Sequence, residues 1–255
     1  MGINSTIPVE DIIDTVNRVA SAVLRIYNSP DRLGIDYKVD ASPVTEADTL
    51  AHTMLVKLLT YLAPSIPIVS EEQDAHINRA TIAKDIYWLI DPIDGTKEFI
   101  AHNGQFTICV ALMKDYKPIF GIVSAPALQS LYYGGKEYGS YKIISNTAPK
   151  KIDRVEPASI IYGSLSHMNT ATTEYINEHY PDCELQSVGS QLKIVYVADG
   201  RAKAYPRIGS TMKTWDIAAG HAVLEGAGGV MQRPDGSEID YRDPDLLAGD
   251  FVAKA

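Results

Sequence analysis

The stretch Trp88–Ile100, WLIDPIDGTKEFI, decides how this chain is read. It begins within an apolar run of strand character, IYWLI. Two aspartates follow, Asp91 and Asp94, three residues apart. Pro92 stiffens the turn expected after Asp91, and Gly95 lets backbone approach a ligand closely. Strand ends suit functional sites, because the strand fixes the side chain while the next loop opens to solvent. Two anions at the mouth of a core nevertheless need a reason.

Further acids stand in similar places. The run IPIVS ends in Glu71 and Glu72, Asp216 follows Trp215 at the start of a small-residue helix, and Asp48 opens another helix. Singly, each has an ordinary reading. DPIDG has good turn chemistry, Thr45 and Asp48 make a capping box, Glu71 and Glu72 can be solvated, and Asp216 can cap its helix. Clustered and partly buried, such carboxylates would repel one another and raise their own pKa values. A hard divalent cation removes that conflict, and magnesium takes oxygen ligands while keeping some water. For the set, metal binding is the better explanation.

Outward from this stretch, Val9, Ile12, Ile13, Val16, Val19, Ala20, Val23 and Leu24 follow helical spacing. A polar segment broken by Pro30, Gly34 and Pro43 precedes a second helix, TEADTLAHTMLVKLLTYLAP. Short strands separated by a few turn residues dominate up to about Lys150, which favours antiparallel pairing. Beyond it, strands and helices alternate. This gives an N-terminal α+β part over residues 1–150 and a C-terminal α/β part over 151–255, with a soft boundary near 145–155.

The 255 residues include 32 acidic and 23 basic side chains, a net charge of −9, which makes a poor general binder of nucleic-acid backbone. No apolar run approaches the ~20 residues of a membrane span. The N-terminus lacks the features of a secretory signal, although Gly2 with Thr6 formally fits a myristoylation pattern. Cys109 and Cys183 make no metal-ligand spacing, and a reduced, cytoplasmic setting fits them, with peripheral attachment at the inner membrane left open. Monomer and homodimer both stay open.

Four motifs, SPVTEAD, IVSEE, WLIDPIDGTKEF and TWDIAAGHAVLEGAGG, resemble the magnesium-dependent, lithium-sensitive phosphatases of the inositol monophosphatase superfamily. DGTKEF and the later GSQLK, YPR and TWD are most similar to its CysQ-type 3'(2'),5'-bisphosphate nucleotidases. The resemblance implies a layered α-β-α-β sandwich of the inositol monophosphatase/fructose bisphosphatase type. It implies two or three Mg2+ ions. Glu71, Asp91 and the Ile93 carbonyl would hold one, Asp91, Asp94 and Asp216 a second. Asp48 and Thr96 match the family's water-activating pair, with Glu71 counted among the catalytic groups. Amides of Gly95 and Thr96, beside Ile93 and Asp94, would meet the reacting phosphate, whereas Lys97 and Glu98 are expected to be solvated. Ser166, His167, Gly189, Ser190, Lys193 and Arg207 would meet the nucleotide, with Asp216 at the substrate's edge. Leu165 stands where an arginine is expected. The implied activity removes the 3'-phosphate of adenosine 3',5'-bisphosphate. The alternatives are an inositol monophosphatase or broad sugar phosphatase, and a non-catalytic nucleotide-binding protein.

Overall fold

The computed structural model describes residues 8–29, 34–37, 43–153 and 155–255. Gly2, Thr6, Pro30 and Ser42, used above, lie outside them. Helix α1 (Val9–Tyr27) buries the apolar stripe of the sequence, including Val9, Ile12, Val16, Val19 and Val23. Strands β1 (Ile35–Tyr37) and β2 (Pro43–Thr45) pair antiparallel and lead into α2 (Glu46–Leu62). The expected capping box forms there. Thr45 Oγ1 accepts from the Ala47 amide at 3.2 Å, and Asp48 Oδ2 accepts from the Thr45 amide at 2.8 Å.

Next come β3 (Ile68–Ser70), α3 (Ala75–Ile82), β4 (Ile86–Asp94), α4 (Thr96–Ile100) and β5 (Thr107–Lys114). They are followed by β6 (Lys117–Ala125), β7 (Ser130–Gly135), β8 (Gly139–Ile144) and β9 (Lys150–Lys151). Strands β3 to β9 form one seven-stranded sheet in chain order. Only β3 and β4 run parallel, joined through α3; the short turns among the rest give antiparallel pairs. The second half contributes β10 (Ile160–Ser164), α5 (Thr170–His179), β11 (Glu184–Val188) and α6 (Leu192–Ala198). It continues with β12 (Ala204–Arg207), α7 (Ala218–Gly226), β13 (Val230–Gln232) and β14 (Phe251–Lys254). These strands make a five-stranded sheet in the order β11-β10-β12-β14-β13.

Period-two alternation lets the large sheet serve two cores. In β5, Ile108, Val110 and Leu112 join the cluster under α1 and α2, while Cys109, Ala111 and Met113 join the cluster around α6 and α7. Helix α7 lies close on that inner face because β6 carries Gly121. A Cβ there would sit 2.2 Å from the Ala219 carbonyl oxygen, so only glycine lets the helix down. The small sheet closes the inner core, and α5 covers its outer side through Ile161, Ile176, Ala204 and Val252. The result is the layered α-β-α-β sandwich. The first sheet ends at Lys151 and the second begins at Ile160, yet the inner core mixes Val69 and Leu89 with Val195, Val223 and Phe251. The two halves therefore share one interior. Among the described residues no helix is long and apolar enough to cross a membrane.

Candidate active site

Residues three apart on a regular strand point to opposite faces. Asp91 and Asp94 escape this because β4 is bulged. Asp91 pairs with Cys109 and Asp94 with Thr107, so three steps on β4 match two on β5. The one extra residue is a β-bulge, and it brings both carboxylates to the inner face. Pro92, which has no N–H to give a ladder, sits within it. The turn expected after Asp91 is thus a bulge in a strand that runs on to Asp94.

A 3-10 turn, Thr214–Asp216, delivers the third acid just before α7. Asp216 Oδ2 accepts from the Lys213 amide at 2.8 Å. Ligand oxygens of Asp91, Asp94 and Asp216 lie within 4.8 Å of one another. Glu71 follows β3, which runs alongside β4, and its amide donates to the Ile90 carbonyl at 3.3 Å. It lines the same cleft as Asp94 and Asp216, and its charge raises the pKa of all three aspartates.

Asp91 is only 1% exposed, and among the described residues neither of its carboxylate oxygens has a hydrogen-bond partner. Burial first, then the neighbouring carboxylates, push Asp91 and Asp216 well above the usual carboxylate range. Burial drives Asp94 up to about 7, even though Lys193 and the Gln191 amide oppose it. A buried carboxylate left without donors is costly. An all-oxygen set converging on such a group has the chemistry to hold a hard divalent cation.

Beside these acids, Thr96 Oγ1 lies 3.2 Å from Asp48 Oδ1 and 3.3 Å from the Ile93 carbonyl oxygen. Both readings of Asp48 hold at once. Its Oδ2 caps α2 and takes the Thr45 hydroxyl at 2.6 Å, while Oδ1 faces Thr96. Burial raises the Asp48 pKa, and the Thr45 hydrogen bonds partly offset this.

The second half also supplies cations to this cleft. Lys193, 5% exposed, donates to the Ser190 and Val188 carbonyls at 2.6 and 3.2 Å, and its ammonium lies 5.1 Å from the Tyr205 ring centroid. Burial lowers its pKa to about 8 against the pull of Asp94. Arg207, 8% exposed, donates to Ser210 Oγ at 3.1 Å and to the His167 carbonyl. Neither is the ordinary surface charge that a lone Lys or Arg suggests. His167 lines the same cleft; burial, followed by Lys97 and Arg207, lowers its pKa. Gly189 and Ser190 complete this wall. A Cβ on Gly189 would come within 2.7 Å of both the Gln105 carbonyl and Glu98 Cγ, so the two halves meet closely there. The whole cleft encloses about 540 Å3, and Glu71, Asp94, Asp216, Lys193 and Arg207 all line it.

Two residues of the site differ from the sequence reading. Glu98, expected to be solvated, is buried, and its Oε1 accepts from Ser166 Oγ at 2.5 Å. Helix α4 has five residues, and its Glu98 and Phe99 turn inwards together. Gln191 carries no expectation from the sequence, yet it ties three motifs together. Its amide N–H reaches Asp94 Oδ2 at 2.5 Å, its Nε2 donates to the Trp215 carbonyl at 2.8 Å, and its Oε1 accepts from the Gly220 amide at 2.8 Å. The one signal for it is a glutamine at the start of a helix whose residues, Lys193 apart, are apolar or aromatic, beside Ser190.

A sequence profile described as the inositol monophosphatase family matches residues 8–255. The chain belongs to this family. The 3'(2'),5'-bisphosphate nucleotidase CysQ of Salmonella typhimurium is 36% identical over 232 residues, covering 91% of this chain and 93% of the relative. CysQ of Escherichia coli K12 is 35% identical over 238 residues, again covering 91% and 93%. The crystal structure of CysQ from Bacteroides thetaiotaomicron, a bacterial member of the inositol monophosphatase family, matches with a TM-score of 0.82 and 32% identity, covering 96% of each chain. Inositol monophosphatase family phosphatases are metal-dependent, and in this chain Asp91, Asp94 and Asp216 form a cluster able to bind the metal.

Proposed function

We propose that this protein hydrolyses the 3'-phosphate of adenosine 3',5'-bisphosphate to AMP and inorganic phosphate. One observation carries the reading: a single cleft is lined by Asp94 and Asp216, clustered with the buried Asp91, and by two buried cations, Lys193 and Arg207. A substrate with one phosphate engages only the carboxylate cluster or only the cations, whereas a bisphosphate has a group for each. The names of the CysQ relatives point the same way. About 540 Å3 lies within the ~300–1,000 Å3 usual for small-molecule sites.

Glu71, Asp91, Asp94, Asp216 and the Ile93 carbonyl would hold two or three Mg2+ ions. Bound there, magnesium supplies charge neutralisation at the phosphoryl oxygens and makes water easier to deprotonate. The protein's own part is proton handling and orientation. A water on Thr96 Oγ1 would hydrogen-bond to a hydroxyl whose own hydrogen points at Asp48 Oδ1. As the water attacks phosphorus and the bond to the ribose 3'-oxygen breaks, the water's proton would pass to Thr96 while the Thr96 proton moves to Asp48, and the departing 3'-oxygen would take a proton from solvent to give AMP and inorganic phosphate. The buried position of Asp48 raises its basicity for this step. Lys193 and Arg207 would hold the 5'-phosphate or ribose, with Ser166, His167, Gly189 and Ser190 lining the nucleoside's path. The Ser166–Glu98 hydrogen bond joins the two halves beside that path. A free nucleotide substrate fits a cytoplasmic location.

Turnover on adenosine 3',5'-bisphosphate, inositol 1-phosphate and fructose 1,6-bisphosphate, each with and without chelator, tests the reading. It expects the nucleotide to lead in kcat/KM by at least tenfold and chelation to abolish activity. Preference for inositol 1-phosphate by orders of magnitude would overturn it, as would tight nucleotide binding in Mg2+ without phosphate release.

A further inference from the structure

A second cavity, of about 430 Å3, opens at the other end of the large sheet. Strand β5 runs from Thr107, which donates to Asp94, to Lys114 on this cavity's rim. Seven steps at about 3.3 Å each put the two sites roughly 23 Å apart. Helix α7 links them, since Asp216 precedes it and its His221 and Glu225 line the cavity.

The interior is partly apolar, with Ile119, Met231, Ile239 and Tyr241 lining it. His221 is only 7% exposed. Its Nδ1 lies 2.8 Å from the Tyr241 hydroxyl, and its Nε2 is 3.9 Å from Glu225, beyond hydrogen-bond reach. Burial keeps the Tyr241 phenol protonated by raising its pKa, and its one hydrogen-bond partner among the described residues is Nδ1. The phenol therefore donates to Nδ1, which leaves the ring hydrogen on Nε2. Burial lowers the His221 pKa to about 4, so the ring is neutral near pH 7. A nearly buried N–H donor thus lines a cavity without an acceptor.

Three lysines rim the opening, Lys114 and Lys117 at the β5–β6 turn and Lys136 at the β7–β8 turn. Glu137, Glu225 and Glu238 also line it, so charge alone does not select a ligand. Pairing breaks the tie. Lys117 is bonded to Glu238 at 2.9 Å, and Lys136 stands 3.9 Å from Glu225. The Lys114 ammonium has no hydrogen-bond or ion-pair partner among the described residues. Glu137 is exposed, whereas the donor on His221 is inside.

We infer that this cavity is a second binding site, for a small organic anion with a flat ring. The ring would lie against Ile119, Met231 and Tyr138, and the anionic group would meet His221 Nε2 and Lys114. Calorimetric titration with benzenesulfonate, run with AMP saturating the active cleft, tests it, with neutral benzyl alcohol as the comparison. One equivalent of benzenesulfonate should bind, at least tenfold more tightly than benzyl alcohol. The double variant Lys114→Glu/Lys136→Glu changes only exposed rim residues, so its phosphatase turnover should match the wild type while benzenesulfonate binding weakens tenfold or more. Four results would each overturn the inference: no saturable binding, binding that AMP displaces, equal binding by the rim variant, or equal binding of the neutral alcohol.

Discussion

Replacing Gln191 with leucine should uncouple the carboxylate cluster from the helix beneath it. The substitution keeps the backbone N–H that reaches Asp94 but removes both side-chain hydrogen bonds. Two backbone groups lose a partner. One is the Trp215 carbonyl, adjacent to Asp216; the other is the N–H of Gly220, in the first turn of α7, where an amide has no acceptor within its own helix. Gln191 is 1% exposed, so water does not readily replace it. Each unsatisfied buried group costs about 1–3 kcal/mol, or about 2–6 kcal/mol for the two. At about 2–4 °C per kcal/mol for a chain of this size, the melting temperature should fall by at least about 4 °C. Stability alone would make Gln191 a core residue like any other. The sharper readout is the Mg2+ concentration giving half-maximal activity, measured well below the melting temperature. Loosening the turn that carries Asp216 should raise it about 10- to 100-fold, the usual effect of removing a group that orients a metal ligand. A Gln191→Leu protein with lowered stability but an unchanged Mg2+ midpoint would refute the coupling.

Asp94→Asn should cut turnover by orders of magnitude, because a charged oxygen ligand is lost; near-normal kcat at saturating Mg2+ would remove Asp94 from the metal site. Lys193→Ala should weaken adenosine 3',5'-bisphosphate more than small phosphate monoesters in kcat/KM, and equal losses on both would deny it a role in specificity. Gly121→Ala should destabilise the fold, since its Cβ would fall 2.2 Å from the Ala219 oxygen and lift α7; an unchanged melting temperature would show that the helix can shift at no cost. Without metal, stability should fall as pH rises. The folded-state pKa of Asp94, about 7, lies above the ordinary 3.8, so the folded chain binds the extra proton. That contribution is complete below about 3.8 and is lost through about 7, where Mg2+ takes the proton's place. The gap in melting temperature between Mg2+ and chelator should therefore widen from pH 4 to 7, and a constant gap would contradict it.

The clustered acids Asp91, Asp94 and Asp216 were legible in the sequence because they stand beside apolar runs, and a run long enough to be a buried strand fixes where its end must be. The helices were legible for the same reason, through spacing and caps, as at Thr45 and Asp48. What stayed hidden depends on partners distant in the chain. Gln191 is 97 residues from Asp94, and Ser166 is 68 from Glu98. No local pattern distinguishes a glutamine that stitches two sheets from one that faces water. Glu98 misled because an acid beside a lysine on a short helix is ordinarily solvated, whereas here the distant Gly189 and Ser166 pack against it.

The bulge in β4 is the most instructive case. A spacing of three suits a helix or a turn, so DPID reads naturally as a turn. In the folded chain it is strand, and one unmatched residue converts that spacing into a shared face. The local chemistry of Pro92 permits the bulge but does not demand it. The demand comes from β5, whose ladder holds Cys109 against Asp91 and Thr107 against Asp94. Removing that register would send one carboxylate into the apolar cluster under α1 and α2, where no donor or cation could meet it. The convergence of Asp91 and Asp94 is thus a property of the strand pair rather than of the motif, and the motif is functional only because the sheet corrects its phase.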